Sequence, residues 1–340
     1  MKLGIIGHTG AGKTTVFEAL TNTRSDTPQR RENRIGTVKV PDPRVDFLSD
    51  MYTPRKTIFA QVEYLLPAMA EQAKEQSVWT QARDCDALIH VVRNFKSYGQ
   101  EEPDPRAAVQ SMDQELIISD LVVVEKRLER LAMDQKRGKK PDSEELTLLE
   151  QCAAHLNDEI PLRRFPELAA PRILRGYAFL SAKPMLVLFN NDDETPDLPG
   201  ELSWVTSATC IAMRGKLEQE LAQMDPEEAH SFLEEFGIRD LAMERVIATS
   251  YELLGLISFF TVGEDEVRAW TIQKETVAVD AADVIHSDIK KGFIRAEVLA
   301  YADLVSAGSF ANARKQGTVR LEGKTYPVQD GDIITFRFNV

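Results

Sequence analysis

The chain reads as an α/β protein built on a doubly wound, mostly parallel sheet, interrupted by a helical arm and followed by a small α+β domain. Three observations predict this. A glycine-rich turn joins an apolar strand to an amphipathic helix at the amino terminus. Two near-continuous apolar runs, ALIHVV (Ala87 to Val92) and MLVLF (Met185 to Phe189), have the pattern of parallel strands covered on both faces. From Ser258 onward, short β-rich runs alternate with turns.

In chain order, Lys2 to Ile6 is a strand, and Lys13 to Thr23 (KTTVFEALTNT) places Val16, Phe17 and Leu20 on one helical face. FAQVEYLL (Phe59 to Leu66) follows as a strand, then ALIHVV, in which His90 is expected as a hydrogen-bonded core histidine. From Met112 the period changes: Ile117, Leu121, Val124, Leu128 and Leu131 make one apolar seam, and Leu146, Leu149, Ala153 and Leu156 a second. Between them KRGKKPDS (Lys136 to Ser143) carries Gly138, Pro141 and Ser143, so the two helices are expected to fold back as an antiparallel pair. Its basic tip is either a solvated turn or a contact for nucleic-acid backbone. RAWTI (Arg268 to Ile272), FIRAEVL (Phe293 to Leu299), GTVRLEG (Gly317 to Gly323) and VQDGDIITFRFNV then alternate with turns, Asp330-Gly331 marking the turn before a last strand to Val340. The expected division is 1–111 with 181–257 for the sheet domain, 112–180 for the arm and 258–340 for the last domain.

A chain of 340 residues, 43% hydrophobic, exceeds one ordinary core and can bury two or three. A net charge of −13 disfavours sequence-blind binding of polyanions over the whole surface, so any RNA contact needs a local basic patch, and sequence recognition of DNA is not expected. Cys85, Cys152 and Cys210 are odd in number and far apart, as buried reduced thiols would be. Met1 leads straight into a strand and no apolar run approaches a membrane span, so a cytoplasmic protein without membrane contact is expected.

Gly7-His8-Thr9-Gly10-Ala11-Gly12-Lys13-Thr14 matches the P-loop pattern and lies where it must, after a strand and opening a helix. Its glycines let successive amides converge on phosphate oxygens, and the helix N-terminus adds its positive dipole end. The Lys13 ammonium would reach the β- and γ-phosphates, and the Thr14 hydroxyl would meet Mg²⁺. Gly7, Gly10, Ala11, Gly12, Lys13, Thr14 and Thr15 are therefore the candidate phosphate-binding residues, with Lys13 and Thr14 carrying whatever catalytic electrostatics remain. Hydrolases of this class also need a carboxylate at the end of a neighbouring strand. Leu66-Pro67-Ala68-Met69 supplies none, and Glu63, in mid-strand, would have to turn toward the loop to replace it.

These residues, with VKVPDPRVDFL, DALIHVVRNF, VEKRLERL, YELLGLISFFTVGEDEVRAWTI, VIHSDIKKGFIRAEV and the final VQDGDIITFRFNV, resemble the YchF or Obg-like ATPase family nearly end to end. The resemblance implies a P-loop G domain, an inserted antiparallel coiled-coil arm and a carboxyl-terminal TGS domain of ubiquitin-like β-grasp fold. It implies a ribosome- or translation-associated factor that takes Mg²⁺ with ATP or GTP, usually preferring ATP. The family's Asp-x-x-Gly falls on Leu66 to Met69, where both chemical residues are gone, and its switch threonine falls near Arg30, with Thr27 the nearest substitute; Arg30, Arg31 and Arg34 would either touch phosphate or stay solvated. For base recognition, Asn190-Asn191-Asp192-Asp193-Glu194 offers two registers, Asn190 with Asp193 or Asn191 with Glu194, and Ser207-Ala208 is expected to form the base-side loop. In the TGS-like domain Lys290, Lys291, Arg295, Arg314, Lys315 and Arg320, helped by Phe293, would form either an RNA-facing patch or a solvated rim. The function expected is a slow, translation-associated purine-nucleotide hydrolase. The alternative is a non-hydrolysing nucleotide-binding scaffold that holds a protein or RNA through the arm and TGS domain.

Overall fold

The computed structural model describes residues 1–23, 32–68, 76–97, 99, 101–205, 207–236, 238 and 240–339. The chain forms two compact units, Met1–Val38 with Glu63–Val246, and Lys39–Val62 with Ile247–Val340.

The first unit is built on a six-stranded sheet of β1 (Lys2–Ile6), β2 (Arg34–Lys39), β4 (Gln61–Leu66), β5 (Ala87–Asn94), β6 (Met185–Asn191) and β7 (Thr209–Met213), in the order β2-β4-β1-β5-β6-β7. β1 runs parallel to β4 and β5, β5 to β6, and β6 to β7. All seven residues of β6 are buried, which is why Met185 to Phe189 are apolar without alternation. Helix α1 (Lys13–Thr21) follows the glycine-rich loop, and α3 (Gln76–Arg83) precedes β5. Two long helices, α4 (Pro105–Lys136) and α5 (Ser143–Asn157), form the arm.

The arm obeys its seams. Ile117, Val124, Leu131, Leu149 and Leu156 are buried in one cluster, against which Leu121, Leu128, Leu146 and Ala153 pack. Gly138 takes φ +83 in the turn, as a helix stop requires, and the cap of α5 is Asp142, accepting from the amides of Glu144 and Glu145. α4 begins seven residues before Met112. Its early residues Val109, Met112 and Leu116 join the sheet core with Leu88, Met185 and Phe189, so one continuous helix serves both sheet and arm.

The second unit has its own sheet, in the order β11-β10-β12-β8-β9-β3. Its strands are β3 (Lys56–Ile58), β8 (Leu256–Val262), β9 (Glu266–Gln273), β10 (Phe293–Ala300), β11 (Arg320–Glu322) and β12 (Asp332–Phe338). β8 and β9 form a hairpin, β12 lies parallel to β8, and the helix Ala278–Ile285 buries its alanines against Phe259, Phe293 and Val298. That is the β-grasp order. Gly331 adopts φ +87 in the turn before β12, as Asp330-Gly331 predicts. β3 adds an edge strand parallel to β9, and α2 (Pro43–Tyr52) belongs to the same unit. The segment 39–62, which lies within the stretch 1–111 expected in the sheet domain, is thus grouped by its contacts with the carboxyl-terminal residues.

Candidate functional site

The glycine-rich loop lies at the carboxyl end of β1. Gly7, Gly10 and Gly12 take φ of 145°, 81° and 89°, a region that side-chain-bearing residues rarely enter. Close approach forbids a side chain as well: a Cβ on Gly7 would strike the Val91 carbonyl oxygen, and one on Gly12 the Asn190 amide. Gly12 is the N-cap of α1 and brings no side-chain cap, so the first-turn amides of Lys13, Thr14 and Thr15 are left for an external acceptor. Thr14 is exposed beside them. The Lys13 ammonium folds back onto the loop, donating to the carbonyls of Gly7 at 2.7 Å and His8 at 2.8 Å. Burial lowers its pKa from 10.5 to about 8.

Asn190, at the carboxyl end of β6, ties this loop to the next junction. Its Nδ2 donates to the Ala11 carbonyl at 3.0 Å, and its Oδ1 accepts from the Gly215 amide at 3.1 Å. Gly215 has to be a glycine for the same reason as Gly12, because a Cβ there would meet Asn190. Asn191 is occupied elsewhere. Its Nδ2 donates to the carbonyls of Thr195 and Asp197 at 2.8 and 2.7 Å, and its Oδ1 accepts from Asn94 at 2.8 Å. Asp193 accepts from the Leu217 amide at 3.2 Å, at the N-terminus of the helix Gly215–Gln223. Of the two asparagines, Asn190 bridges the loop to the turn after β7, and Asn191 does not.

Several expected residues lie elsewhere. Parallel pairing sets Thr209 level with Leu186 and Met213 level with Asn190. Ser207 and Ala208 precede β7, so they sit at the other end of that strand from the level of Asn190, which even Thr209 misses by four residues or roughly 13 Å. The residues level with and bonded to Asn190 are instead those of the turn after β7, Met213-Arg214-Gly215. Strand register was the missing signal. Glu63 pairs with Lys2 at the starting end of β1, its carboxylate 3.3 Å from the Lys2 ammonium, and cannot substitute for the absent metal-holding carboxylate. Arg34 is bound to Glu18 of α1 at 2.8 Å and stacks 4.8 Å from the Phe17 ring, so it is not free for phosphate. Thr27, Arg30, Arg31 and Met69 lie outside the described residues. His90 is fully buried, with neither ring nitrogen bonded among the described residues, and its pKa is lowered to about 3, chiefly by burial; the expected hydrogen bond is not there. Among the described residues no three His, Cys, Asp or Glu cluster as a metal site.

Of the six cations expected to form a basic patch in the second unit, four are neutralised by neighbours, while Arg295 and Lys315 are exposed with no acidic partner among the described residues. Lys290 pairs with Asp280 and Asp283, Lys291 with Asp288, Arg314 with Glu297, and Arg320 with Glu322. Phe293 is 5% exposed and belongs to the core, so it offers no stacking surface. At the arm tip, by contrast, Lys136, Arg137, Lys139 and Lys140 are all exposed, and of these only Lys139 has an acidic partner among the described residues, Asp134.

A parallel sheet whose first strand opens into an uncapped glycine loop, bridged by an asparagine from β6, defines a P-loop NTPase fold of the G-domain type. Comparison with known proteins narrows it. Residues 256–339 match the family model YchF-GTPase_C, described as a protein of unknown function (DUF933). The chain is 36% identical to the ribosome-binding ATPase YchF of Bacillus subtilis (strain 168), covering 99% of both chains, and 32% identical to that of Escherichia coli O157:H7, covering 100% of this chain and 99% of the other. The structure of the Schizosaccharomyces pombe YchF GTPase superimposes with a TM-score of 0.85 at 28% identity, covering 99% of this chain and 97% of that one. A GTP binding protein from Pyrococcus horikoshii OT3 shares the fold, with a TM-score of 0.60 at 18% identity over the whole of both chains. The chain belongs to the YchF family.

No helix among the described residues is long and apolar enough to cross a membrane.

Proposed function

We propose that this chain is a ribosome-associated, purine-nucleotide-binding P-loop NTPase of the cytoplasm, slow at hydrolysis, with the β-grasp unit as its TGS domain and the paired helices as a coiled-coil arm. The observation that carries this is the Asn190 bridge, which fixes the carbonyl of Ala11 and the amide of Gly215 so that the loop and the base-side turn face one ligand. The relatives' name, ribosome-binding ATPase, supports the same partner for this chain.

The roles follow from the geometry. The amides of Gly10 to Thr15 and the helix end would receive the β-phosphate, the Lys13 ammonium would leave its carbonyls for the phosphate oxygens, and the Thr14 hydroxyl would hold Mg²⁺. The residues fit this ion, since Mg²⁺ in such sites takes few protein ligands and completes its shell with phosphate and water. When bound, the ion would supply charge neutralisation to the phosphate oxygens. Neither an aspartate nor a glycine stands at the positions after β4, where Ala68 instead donates its amide to Asn33 at 3.0 Å. Charge stabilisation worth several kcal/mol of barrier is thereby missing, and turnover is slow.

Asp193 is read as the group facing the base, its carboxylate suited to the N1 and N2 donors of guanine. Titration calorimetry with ATP, GTP, ADP and GDP, with and without Mg²⁺, tests both points. Lys13→Ala should abolish binding of every triphosphate, and Asp193→Ala should weaken GTP selectively, by about 1–3 kcal/mol or roughly 5- to 150-fold. Unchanged GTP affinity in Asp193→Ala rejects the base assignment, and failure of the wild type to bind any nucleotide rejects the function.

For the ribosome, the cluster of exposed cations at the arm tip supports a polyanion contact there rather than on the β-grasp sheet. Reversing Lys136, Arg137 and Lys140 to Glu should lower ribosome co-sedimentation tenfold or more and flatten its salt dependence, while Lys290→Glu with Lys291→Glu changes it little. The opposite ranking would move the contact to the sheet.

A further inference from the structure

Resting on the phosphate-loop reading above, we propose that His8 couples occupation of that loop to the root of the helical arm. His8 is the second residue of the loop, yet its side chain turns away from the phosphate side and lies along α4. Its Nε2 is 3.2 Å from the Ala108 carbonyl, and its Nδ1 is 3.9 Å from a carboxylate oxygen of Glu115, two turns further along the helix. A carbonyl only accepts, so Nε2 carries the hydrogen of that bond. The ring stands edge-on to His90, centroids 6.3 Å apart.

The main chain of the same residue is held from the other side. Its carbonyl accepts from Lys13 at 2.8 Å, and the same ammonium bonds Gly7 at 2.7 Å. His8 is thus gripped at one end by the cation that is to bind phosphate and at the other by the helix that becomes the arm. A phosphate oxygen bonds an ammonium more strongly than a neutral carbonyl does. Entry of a nucleotide therefore draws Lys13 from the His8 carbonyl, the peptide reorients, and the imidazole shifts against α4.

Two features of α4 turn a small shift into a response. It is one unbroken helix of 32 residues, with Val109, Met112 and Leu116 in the sheet core and Ile117, Val124 and Leu131 in the arm core. From Glu115 to Lys136 is ~30 Å at the helical rise, so a tilt of ~5° at the root displaces the tip by ~3 Å. The root also has spare bonding capacity. Arg163 binds Asp113 of α4 at 2.6 Å through Nη2, while its Nε and Nη1, buried like both nitrogens of His90, bond nothing among the described residues. Such groups can exchange partners when the helix shifts, which gives the root a second arrangement to move into. At the end of β4, where readout residues usually stand, are Leu66, Pro67 and Ala68, and Arg34 is committed to Glu18, which leaves His8 as a direct route.

The test is hydrogen exchange of the full chain with and without Mg-ATPγS or Mg-ADP, each at concentrations that calorimetry shows to saturate the protein measured. In the wild type, nucleotide should change exchange rates in residues 105–119 and at the arm tip by threefold or more. His8→Leu, which keeps the bulk and loses the donor, should lose that change, and His8→Gln, whose amide can still donate to Ala108, should keep it. A second readout is a pair of fluorophores on the arm tip and β7, whose transfer efficiency should respond to nucleotide in wild type and His8→Gln only. A wild-type response retained in folded His8→Leu overturns the coupling, as does nucleotide binding with no response in α4. Should His8→Leu fail to fold, His8→Ala is read against His8→Gln by the same two readouts, and a full response in folded His8→Ala overturns it too. A wild type that binds no nucleotide in the calorimeter overturns the phosphate-loop reading itself and this coupling with it, an outcome distinct from binding without response.

Discussion

Lys13 is the residue on which both binding and pH behaviour turn. Its ammonium is largely buried and, among the described residues, held by two carbonyls, and desolvation brings its pKa down to about 8. The sign differs for affinity and stability. Between about pH 8 and 10.5 the unliganded native state binds fewer protons than the unfolded chain, so this group adds stability as pH rises through that window. Phosphate binding needs the proton, so affinity falls over the same window, by up to tenfold per pH unit. Calorimetry of ADP binding from pH 7 to 10 should show this loss in the wild type and a flat profile in Lys13→Arg, and a flat wild-type profile would show that the ammonium is not the ligand. The residues of this loop were legible because the chemistry demands particular types at fixed spacing: glycine where φ is positive, lysine for charge. Asn190 was legible as one of two candidates, and only its bonds to Ala11 and Gly215 separate it from Asn191. Ser207 and Ala208 were misplaced because a short Ser-Ala pattern carries no information on which end of a strand it occupies, and only the β6–β7 register supplies that.

At the scale of elements, the arm was read almost residue by residue, since an apolar period of three and four is enforced by burial along the whole seam. What fastens the arm to the sheet was invisible. Asp120, fully buried on α4, accepts from the amides of Leu180 and Ser181 at 3.0 and 2.7 Å and from Arg83, the last residue of α3, at 2.9 Å. Arg83 spends its remaining donors on Ser119 and the carbonyl of Ala178. A single aspartate among polar helix residues gives no sign in sequence that it will sit in a core. Burial raises its pKa while these donors pull the other way, so the carboxylate is tolerated only as long as all of them are present. Asp120→Ala leaves Arg83 and two amides without their acceptor and should cost about 3–5 kcal/mol. Differential scanning calorimetry should show the transition of the first unit moved down by several degrees and that of the second unmoved; equal shifts in both would mean that the knot is not local to the arm root.

On the scale of the whole molecule, the least legible feature is that the carboxyl-terminal unit is discontinuous. Residues 39–62 read as part of the first sheet domain because they lie between its strands β2 and β4, and the three-residue strand KTI (Lys56 to Ile58) is too short to announce a partner over two hundred residues away. Their attachment is chemical as well as topological. Arg44 binds Asp42 at 2.9 Å and Asp330 at 2.7 Å, its guanidinium lies 5.1 Å from the Phe260 ring centroid, and Asp330 in turn accepts from the Ser258 amide at 2.9 Å. Phe47 packs edge-on to Tyr301 at 5.7 Å. Gly331 completes the arrangement, since a Cβ at that turn would come within 3.0 Å of the Arg44 guanidinium. If these contacts make one cooperative body, residues 39–62 should open with 247–340 and not with the flanking strands β2 and β4, although the peptide chain joins them to both. Native-state hydrogen exchange in graded denaturant measures this directly. Amides of α2 and β3 should share the opening free energy of β8 and β9, and Arg44→Ala, which strands two carboxylates, should lower that shared value by about 2–4 kcal/mol while leaving β1 and β5 where they were. Exchange of α2 and β3 in step with β1 would break the grouping, because segments that open together belong to one folding unit whatever their contacts in the closed state.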